Sequence, residues 1–324
     1  MRAEQEKNPE ARCWPPGASV HLPYNDRRLP HNGSHRLVPS VGLALRQAIA
    51  ELAPATDASR LEAEVLMAYT LEETRASLLA HPQRILTSDQ WSGYWALVRR
   101  RASGYPLPYL TGRAEFYGLE FEVTPEVLIP RPETETLVDI ALARQPTNVV
   151  DVGTGCGCIA ISLAIHLPGA VVCGIDISPA ALAVAQRNVE RHGVAERVQL
   201  MVGDVLHPRP EHVCQRPPDL IVSNPPYIPT SKCPSLPASV RDYEPRLALD
   251  GGQDGMEIVR ELLTQAPAVF QDCSHSMRRG ALLIEIGADQ RELASQLAHT
   301  FLPQATIRIH PDLAGRDRVL EVQM

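Results

Sequence analysis

From Pro132 to Met324, short runs of branched aliphatic residues recur at intervals that leave room for a helix between them. The candidate strands are Asn148–Val152, Val171–Ile177, Val198–Val202, Asp219–Ser223, Ala281–Ile286, Thr306–His310 and Arg318–Gln323. The first begins a continuous apolar stretch, as a strand buried on both faces does, where a half-exposed strand would alternate. Helical stretches separate the first five runs. That spacing implies crossover connections and a mostly parallel sheet with helices on both faces. The last two runs follow one another closely, as an antiparallel hairpin at one edge would. The expected frame is an α/β sheet of seven strands.

The first 131 residues follow other rules. Residues 1–40 are rich in Pro, Arg, Asn and His without apolar periodicity, which reads as a disordered extension. Glu4, Glu6 and Glu10 argue against a transit peptide, and no signal peptide is visible. Residues 41–104 show helical spacing and form a small all-helical domain. Leu43, Leu45 and Ile49 mark a first helix. A second, capped by Asp57 or Ser59, places Leu61, Val65 and Ala68/Tyr69 on one face; a third lies near Thr74–Ala80. A fourth starts at Ser88 and Asp89, carries Trp91, Trp95 and Val98, and ends in Arg99-Arg100-Arg101. The arginine triplet reads as a solvated helix C-terminus complementing the dipole, or else as a contact to a polyanion such as ribosomal RNA. Residues 105–131 read as a linker and a β-hairpin, with Leu119, Phe121 and Val123 alternating along one strand.

Composition excludes several classes. The net charge of −7 argues against a dedicated duplex binder, whose affinity comes from neutralising phosphates. No apolar run reaches the ~18 residues that span a bilayer. The seven cysteines are odd in number and scattered, which fits reduced thiols in a cytoplasmic protein. Cys156 and Cys158 are too close for a zinc pair, and no metal is expected.

The chemistry gathers at the ends of the predicted strands. VVDVGTGCGCIAISLA enters Gly153-Thr154-Gly155-Cys156-Gly157 from a strand and leaves it as a helix. Such a turn lets backbone approach a ligand beside a helix N-terminus. Taken alone it is weak evidence, since dinucleotide enzymes use similar turns, though here the spacing is G-x-G-x-G after Asp151. Asp176 lies about 20 residues on, where an acid accepts ribose hydroxyls. Asp204, with Val205 beside it, ends the third strand, placed to meet an adenine amino group. Each acid alone also reads as a helix cap or turn residue. As a set, these features resemble the S-adenosylmethionine-dependent methyltransferase fold: a Rossmann-like, seven-stranded class I sheet over residues 132–324.

In that fold the end of the fourth strand faces the methyl donor, and here it reads Asn224-Pro225-Pro226-Tyr227. A residue before proline is held extended, and proline has no N–H. The loop therefore presents mainly acceptors. The Asn224 side-chain carbonyl and the Pro225 main-chain carbonyl suit the two hydrogens of a planar NH2 group, and Tyr227 suits its face. Exocyclic amino groups of bases and a glutamine amide all qualify. A catalytically silent cofactor-binding protein is the remaining alternative class, and the intact loop argues against it.

The stretches PYLTGRAEFYGLEFEVTPEVLIPRPETE, DVGTGCGCIAI, IVSNPPYIP and DYEPRLALDGGQDG resemble those of the HemK-type protein glutamine-N5 methyltransferases, from about Val41 to Met324. The resemblance implies a release factor as protein partner, no direct nucleic-acid binding, and a helical domain that docks the partner. It implies cofactor contacts at Gly153, Thr154, Gly155, Cys156, Gly157, Asp176, Asp204, Val205 and Asn224. It implies that Asn224, Pro225, Pro226 and Tyr227 hold the glutamine. Phe116 would flank the site and Arg131 would shape it; the plainer readings are a hairpin-core ring and a partner for Glu133 or Glu135. Gly251-Gly252-Gln253 spells the tripeptide that release factors carry around the modified glutamine, but it reads as part of the enzyme's own Gly-rich stretch. Cys156 and Cys158 depart from the family's turn, and Cys156 is a candidate for thiol-reagent sensitivity.

Overall fold

The computed structural model describes residues 38–208, 210, 217–271 and 280–324. The expected N-terminal extension lies outside the described residues up to position 37. Val38–Ser40 already belong to the folded chain, because Ser40 caps the first helix and pairs with Ile85.

The helical region comprises α1 (Val41–Leu52), α2 (Ser59–Leu71), α3 (Arg75–Ala80) and α4 (Ser88–Ala102). Thr74 caps α3, and Thr87 with Gln90 forms a capping box that starts α4. Two expectations need correction. Neither Asp57 nor Ser59 caps α2: its first turn follows Ala58 with no side-chain cap. Its buried face is Glu62, Ala63, Leu66 and Met67, one residue out of phase with the expected stripe, so Leu61 and Tyr69 stand exposed. The shift has a partner-borne cause. Arg101 of α4 donates two hydrogen bonds, of 2.7 and 3.0 Å, to the Glu62 carboxylate, and both side chains are nearly buried. Arg101 is thus no solvated terminus. Arg100 lies over the Tyr105 ring at 4.2 Å and Arg99 over Trp95 at 6.0 Å.

Between this region and the sheet, residues 105–131 contain a short helix α5 (Leu107–Thr111) that periodicity does not reveal, then the hairpin β1 (Arg113–Phe116) and β2 (Leu119–Glu122). Tyr109, Val123, Val127 and Ile129 of this segment bury themselves together with Cys156, Ala181 and Val184 of the sheet-bearing half. Asn188, fully buried, completes the join. Its Oδ1 accepts the Glu122 N–H at 2.7 Å while its Nδ2 donates to the carbonyls of Glu122 and Cys156. The "linker" is therefore a support packed behind the glycine turn.

The remainder is α6 (Glu135–Ala143), β3 (Asn148–Val152), α7 (Cys158–His166), β4 (Val171–Asp176), α8 (Pro179–Arg191), β5 (Val198–Val202), β6 (Leu220–Ser223), the short α9 (Ala238–Arg241), α10 (Glu257–Gln271), β7 (Ala281–Glu285), α11 (Arg291–Phe301), β8 (Thr306–Pro311) and β9 (Asp317–Gln323). The connection from β5 to β6 lies partly outside the described residues. The sheet order is β5-β4-β3-β6-β7-β9-β8. The first five strands are mutually parallel; β9 runs antiparallel to both β7 and β8.

The apolar runs are continuous because successive side chains serve opposite layers. Val150, Val152, Ile221, Leu282 and Ile284 pack under α10 and α11. Val149, Leu220, Val222, Ala281 and Leu283 face α6, α7 and the hairpin. Fully burying one such side chain stabilises the fold by about 1.5–3 kcal/mol. With both faces committed, only the carboxyl ends of the parallel strands remain for a site.

Candidate active site

At the end of β3 the chain turns through Gly153, Gly155 and Gly157 at φ of 72, 57 and 85°, conformations that strain any residue with a Cβ. The turn is anchored on the neighbouring strand: Gly153 N–H and Thr154 N–H both donate to the Ile175 carbonyl, at 2.8 and 2.9 Å. Gly155 N–H donates to Asp176 Oδ2 at 2.8 Å, and Ser178 N–H to Oδ1 at 2.9 Å. Ser178, not Asp176, caps α8 through its side chain, so the helix-cap reading of Asp176 falls away. Burial holds the Asp176 carboxyl above its ordinary pKa.

Asp151 lies beneath the turn and is fully buried. Its Oδ2 accepts from Thr154 Oγ1 at 2.7 Å and from Ala160 N–H at 3.2 Å, but its Oδ1 has no hydrogen-bond partner. Burial pushes its pKa up to about 7, opposed by those two hydrogen bonds and reinforced by the charge of Asp176. An orphaned buried carboxylate oxygen beside glycines that hold open an approach suits a cationic ligand.

Asp204 is exposed at the edge of the site, two residues past Val202, the register neighbour of Asp176. Val205 adopts a left-handed φ of 53° and buries its side chain in the core. That conformation is unfavourable for a β-branched residue and marks a locally imposed bend. Cys156 is buried and Cys158 half-buried. The Cys158 thiol is raised well above its ordinary pKa by a hydrogen bond with Cys156 and by burial. A thiol raised in this way, as Cys158 is, is a poor nucleophile. Among the described residues Cys156, Cys158 and Cys233 are free thiols.

β6 delivers the acceptor loop to the same edge. Register pairs Val152 with Ser223, so Gly153 and Asn224 leave the sheet side by side. A Cβ on Gly153 would stand 3.9 Å from the Asn224 carbonyl oxygen. Asn224 Nδ2 donates to Thr134 Oγ1 at 3.0 Å, which leaves its side-chain carbonyl available as an acceptor. Pro225 is buried; Asn224, Pro226 and Tyr227 are half-buried. Tyr227 is gripped at both ends: its carbonyl accepts Gln290 Nε2 at 2.8 Å, and its hydroxyl lies 3.5 Å from Glu285 Oε1. Burial pushes the Tyr227 pKa to about 12. Behind the loop runs the Gly-rich stretch. A Cβ on Gly251 would stand 2.5 Å from the Pro226 oxygen, and one on Gly255 2.2 Å from that of Tyr227. Those glycines are needed for close backbone approach, and Gln253 in the same stretch is exposed.

Two expected site residues make packing and ion-pair contacts of their own. Phe116 is only 1% exposed and meets Phe121 edge to face at 6.3 Å within the core beside Leu137 and Val138; it is a hairpin-core ring. Arg131 pairs with Glu244 at 2.6 Å, not with Glu133 or Glu135, and Glu135 instead accepts the Tyr117 N–H. This pair ties the end of the support segment to the chain that follows the acceptor loop. Sequence reasoning missed Thr134, Asn188, Glu244, Glu285 and Gln290. Only Glu285 left a local trace, as a lone charge ending the apolar run Ala281-Leu282-Leu283-Ile284.

A sheet of this order, with its reversed final strand, its glycine turn after β3 and its acceptor loop after β6, defines a class I methyltransferase. Residues 44–112 match the family described as the PrmC N-terminal domain, and residues 132–234 match the methyltransferase small domain. A release factor glutamine methyltransferase of Moorella thermoacetica is 46% identical over 285 residues, 85% of this chain and 97% of that protein. One from Geobacter sulfurreducens is 45% identical over 72% of this chain and 79% of its own length. The hMettl16 catalytic domain, solved with the MAT2A 3'UTR hairpin 6, superposes with a TM-score of 0.50 at 16% identity, covering 70% of this chain and 81% of that one; it shares the fold. The chain belongs to the release factor glutamine methyltransferase family. No helix among the described residues is long and apolar enough to cross a membrane.

Proposed function

We propose that this chain transfers a methyl group from S-adenosylmethionine to the side-chain amide nitrogen (N5) of the glutamine in the Gly-Gly-Gln motif of a peptide chain release factor, in the cytoplasm. The observation that carries the reading is the orientation of Asn224. With its NH2 end spent on Thr134, its carbonyl is left as an acceptor beside the glycine turn.

The residues present fit the cofactor. Gly153, Thr154, Gly155, Cys156 and Gly157 would line its approach, and Asp151 would offer its unpartnered oxygen to the positively charged methionine end. Asp176 would take the ribose hydroxyls, each of its oxygens having lone pairs beyond the backbone donors it now accepts. Asp204 and Val205 would border the adenine. When bound, the cofactor supplies a sulfonium methyl group whose carbon–sulfur bond breaks with the electron pair staying on sulfur.

The protein's own part is positional. The Asn224 side-chain carbonyl and the Pro225 main-chain carbonyl accept the two amide hydrogens. Pro225 and Pro226 offer no competing N–H donor, and Tyr227 covers the amide plane. Held so, the nitrogen attacks in line, and positive charge building there meets two fixed dipoles. The amide proton then leaves to solvent. No side chain of the loop acts as a base, because Asn, Pro and a tyrosine held near 12 bind no proton reversibly at neutral pH.

The test is transfer of label from S-adenosylmethionine to purified release factor, followed by mass-spectrometric mapping. Label on the Gly-Gly-Gln glutamine is expected; label confined to nucleic acid overturns the assignment. Asn224→Ala removes one of two acceptors and should lower kcat by about 10²–10³ while leaving the melting temperature near that of the parent chain.

A further inference from the structure

We propose that Gln290 is a positioning residue for the acceptor loop: its side-chain amide fixes the peptide unit after Tyr227 and so sets where the Tyr227 ring and the Pro225 carbonyl stand. The proposal rests on the reading of Asn224–Tyr227 as the amide-binding loop and names what holds that loop from behind.

Pro225 and Pro226 have no N–H, so no main-chain donor of theirs ties the loop to the body of the protein. The anchoring falls on the residues that follow. The peptide unit between Tyr227 and Ile228 is held at both polar atoms. Its carbonyl accepts from Gln290 Nε2 at 2.8 Å, and its N–H donates to the Leu249 carbonyl at 3.0 Å. One unit on, the Ile228 carbonyl accepts the Gly251 N–H at 2.8 Å, and the Thr230 N–H donates to the Gly252 carbonyl at 2.8 Å. Three of these four anchors are main chain on both sides. The fourth is a side chain, and a substitution can remove it.

Gln290 stands between β7 and α11 and is 7% exposed. Its Oε1 accepts the Gly287 N–H at 2.7 Å, while its own N–H donates to the Gly287 carbonyl at 2.9 Å. A main-chain N–H can only donate. The amide atom facing Gly287 is therefore oxygen, and the NH2 end is turned to Tyr227. Two glycines from separate segments clear the space for this bridge. A Cβ on Gly287 would stand 2.9 Å from Gln290 Oε1. One on Gly255 would stand 2.7 Å from Gln290 Nε2 and 2.2 Å from the Tyr227 oxygen. The bridge thus ties the loop after β6 to the loop after β7, its parallel neighbour in the sheet.

Without the Gln290 donor the Tyr227 carbonyl loses a buried hydrogen bond, and the peptide unit turns to find another. The Tyr227 ring moves with it, and the strain passes back through Pro226 to the Pro225 carbonyl. A displacement of about 1 Å is enough to cost about 100-fold in rate. The glycine turn after β3 is not touched by the bridge, so cofactor binding should be spared. Gln290→Glu separates the hydrogen bond from the volume of the side chain. One carboxyl oxygen still accepts from Gly287, and the other faces the Tyr227 oxygen. Ionised, it repels that oxygen; protonated, it donates to it and restores the bridge. Burial favours the protonated form as pH falls.

The titratable groups on the segments that meet Gln290 are Tyr227 and Lys232 on the acceptor side, Asp250 and Asp254 on the Gly-rich stretch, and Glu285 and Asp289 beside Gln290 itself. Hydrogen bonds hold Asp250, Asp254 and Asp289 below the usual carboxylate range, from Thr230, Arg260 and Lys232 respectively. Burial pushes Tyr227 up to about 12 and Glu285 up to about 7. Glu285 and Asp151 therefore titrate in the working range, and each variant's kcat is divided by the parent's at the same pH to remove them.

The experiment measures kcat and KM for release factor at saturating S-adenosylmethionine from about pH 6 to about pH 8.5, with cofactor Kd and melting temperature, for the parent chain, Gln290→Met and Gln290→Glu. Gln290→Met should lower kcat about 10- to 100-fold at every pH, with cofactor Kd within about twofold of the parent. Gln290→Glu should match it near pH 8.5 and recover at least about fivefold relative to the parent as pH falls to about 6. A Gln290→Met enzyme with kcat within about twofold of the parent, or with Kd weakened as much as kcat, overturns the proposal. So does a ratio of Gln290→Glu to parent that stays flat with pH. Should Gln290→Met fail to fold, the pH dependence of Gln290→Glu decides alone. A parent chain that does not methylate the glutamine sinks the underlying reading instead.

Discussion

Asp151 is fully buried, one of its carboxylate oxygens has no hydrogen-bond partner, and burial lifts its pKa from 3.8 to about 7. A tenfold change in an ionisation equilibrium corresponds to about 1.4 kcal/mol, so keeping this carboxylate charged at pH 8 costs the fold about 4 kcal/mol. The sign follows from the direction in which burial moves the group. A carboxyl raised in the folded state favours folding most below its unfolded pKa, and that contribution is lost as pH rises through about 7. Asp151→Asn carries no charge at any pH. Its carbonyl can still accept from Thr154 and Ala160, but its NH2 group replaces an orphan acceptor with an orphan donor, at about 1–3 kcal/mol. The net expectation at pH 8 is a gain of about 1–3 kcal/mol, read as a rise of about 3–8 °C in Tm. By about pH 5.5 most of the advantage should be gone, because the penalty has then fallen to about 2 kcal/mol, the cost of protonating a carboxyl that is still charged in the unfolded chain. Cofactor affinity should move the other way, falling about 10- to 100-fold for want of a carboxylate facing a cation. Thermal melts at the two pH values and calorimetric titration with S-adenosylmethionine make the comparison. Equal destabilisation at both pH values would refute the reasoning, for it would mean the charge is not what strains the site.

Arg131→Met strands Glu244, whose side chain is only 2% exposed, and should lower stability by about 2–4 kcal/mol in urea unfolding, with Arg131→Met/Glu244→Leu regaining most of it. A double variant as unstable as the single would show that the pair matters for packing and not for charge. Gly251→Ala places a Cβ 2.5 Å from the Pro226 oxygen, so the acceptor loop must shift. A displacement of about 1 Å is enough to lower kcat about 100-fold, while S-adenosylmethionine Kd should hold. Equal losses in both quantities would place the Gly-rich stretch behind the cofactor instead.

Much of this architecture is legible in order along the chain. The seven strands are visible because each is a short run whose neighbours in sequence serve opposite buried layers. The glycine turn and the Asn224–Tyr227 loop are legible for a similar reason: positive φ and the missing N–H of proline are properties of the residues themselves. What failed were particular pairings between side chains far apart in the chain. The face of α2 slips by one residue because Glu62 meets Arg101, 39 positions on. Arg131 passes over Glu133 and Glu135 for Glu244, 113 positions away.

The same division runs through the site. Residue chemistry and local backbone limits settle that an acceptor-rich loop and a glycine turn exist and that parallel strands bring them to one edge. Which way the Asn224 amide points, what grips Tyr227, and why Asp151 and Glu285 are held near neutrality depend on Thr134, Gln290 and the surrounding layers closing over them. Local conformation is set over a few bonds, whereas hydrogen-bond direction and desolvation are set by whatever the rest of the chain packs alongside, and only the closed tertiary structure decides that.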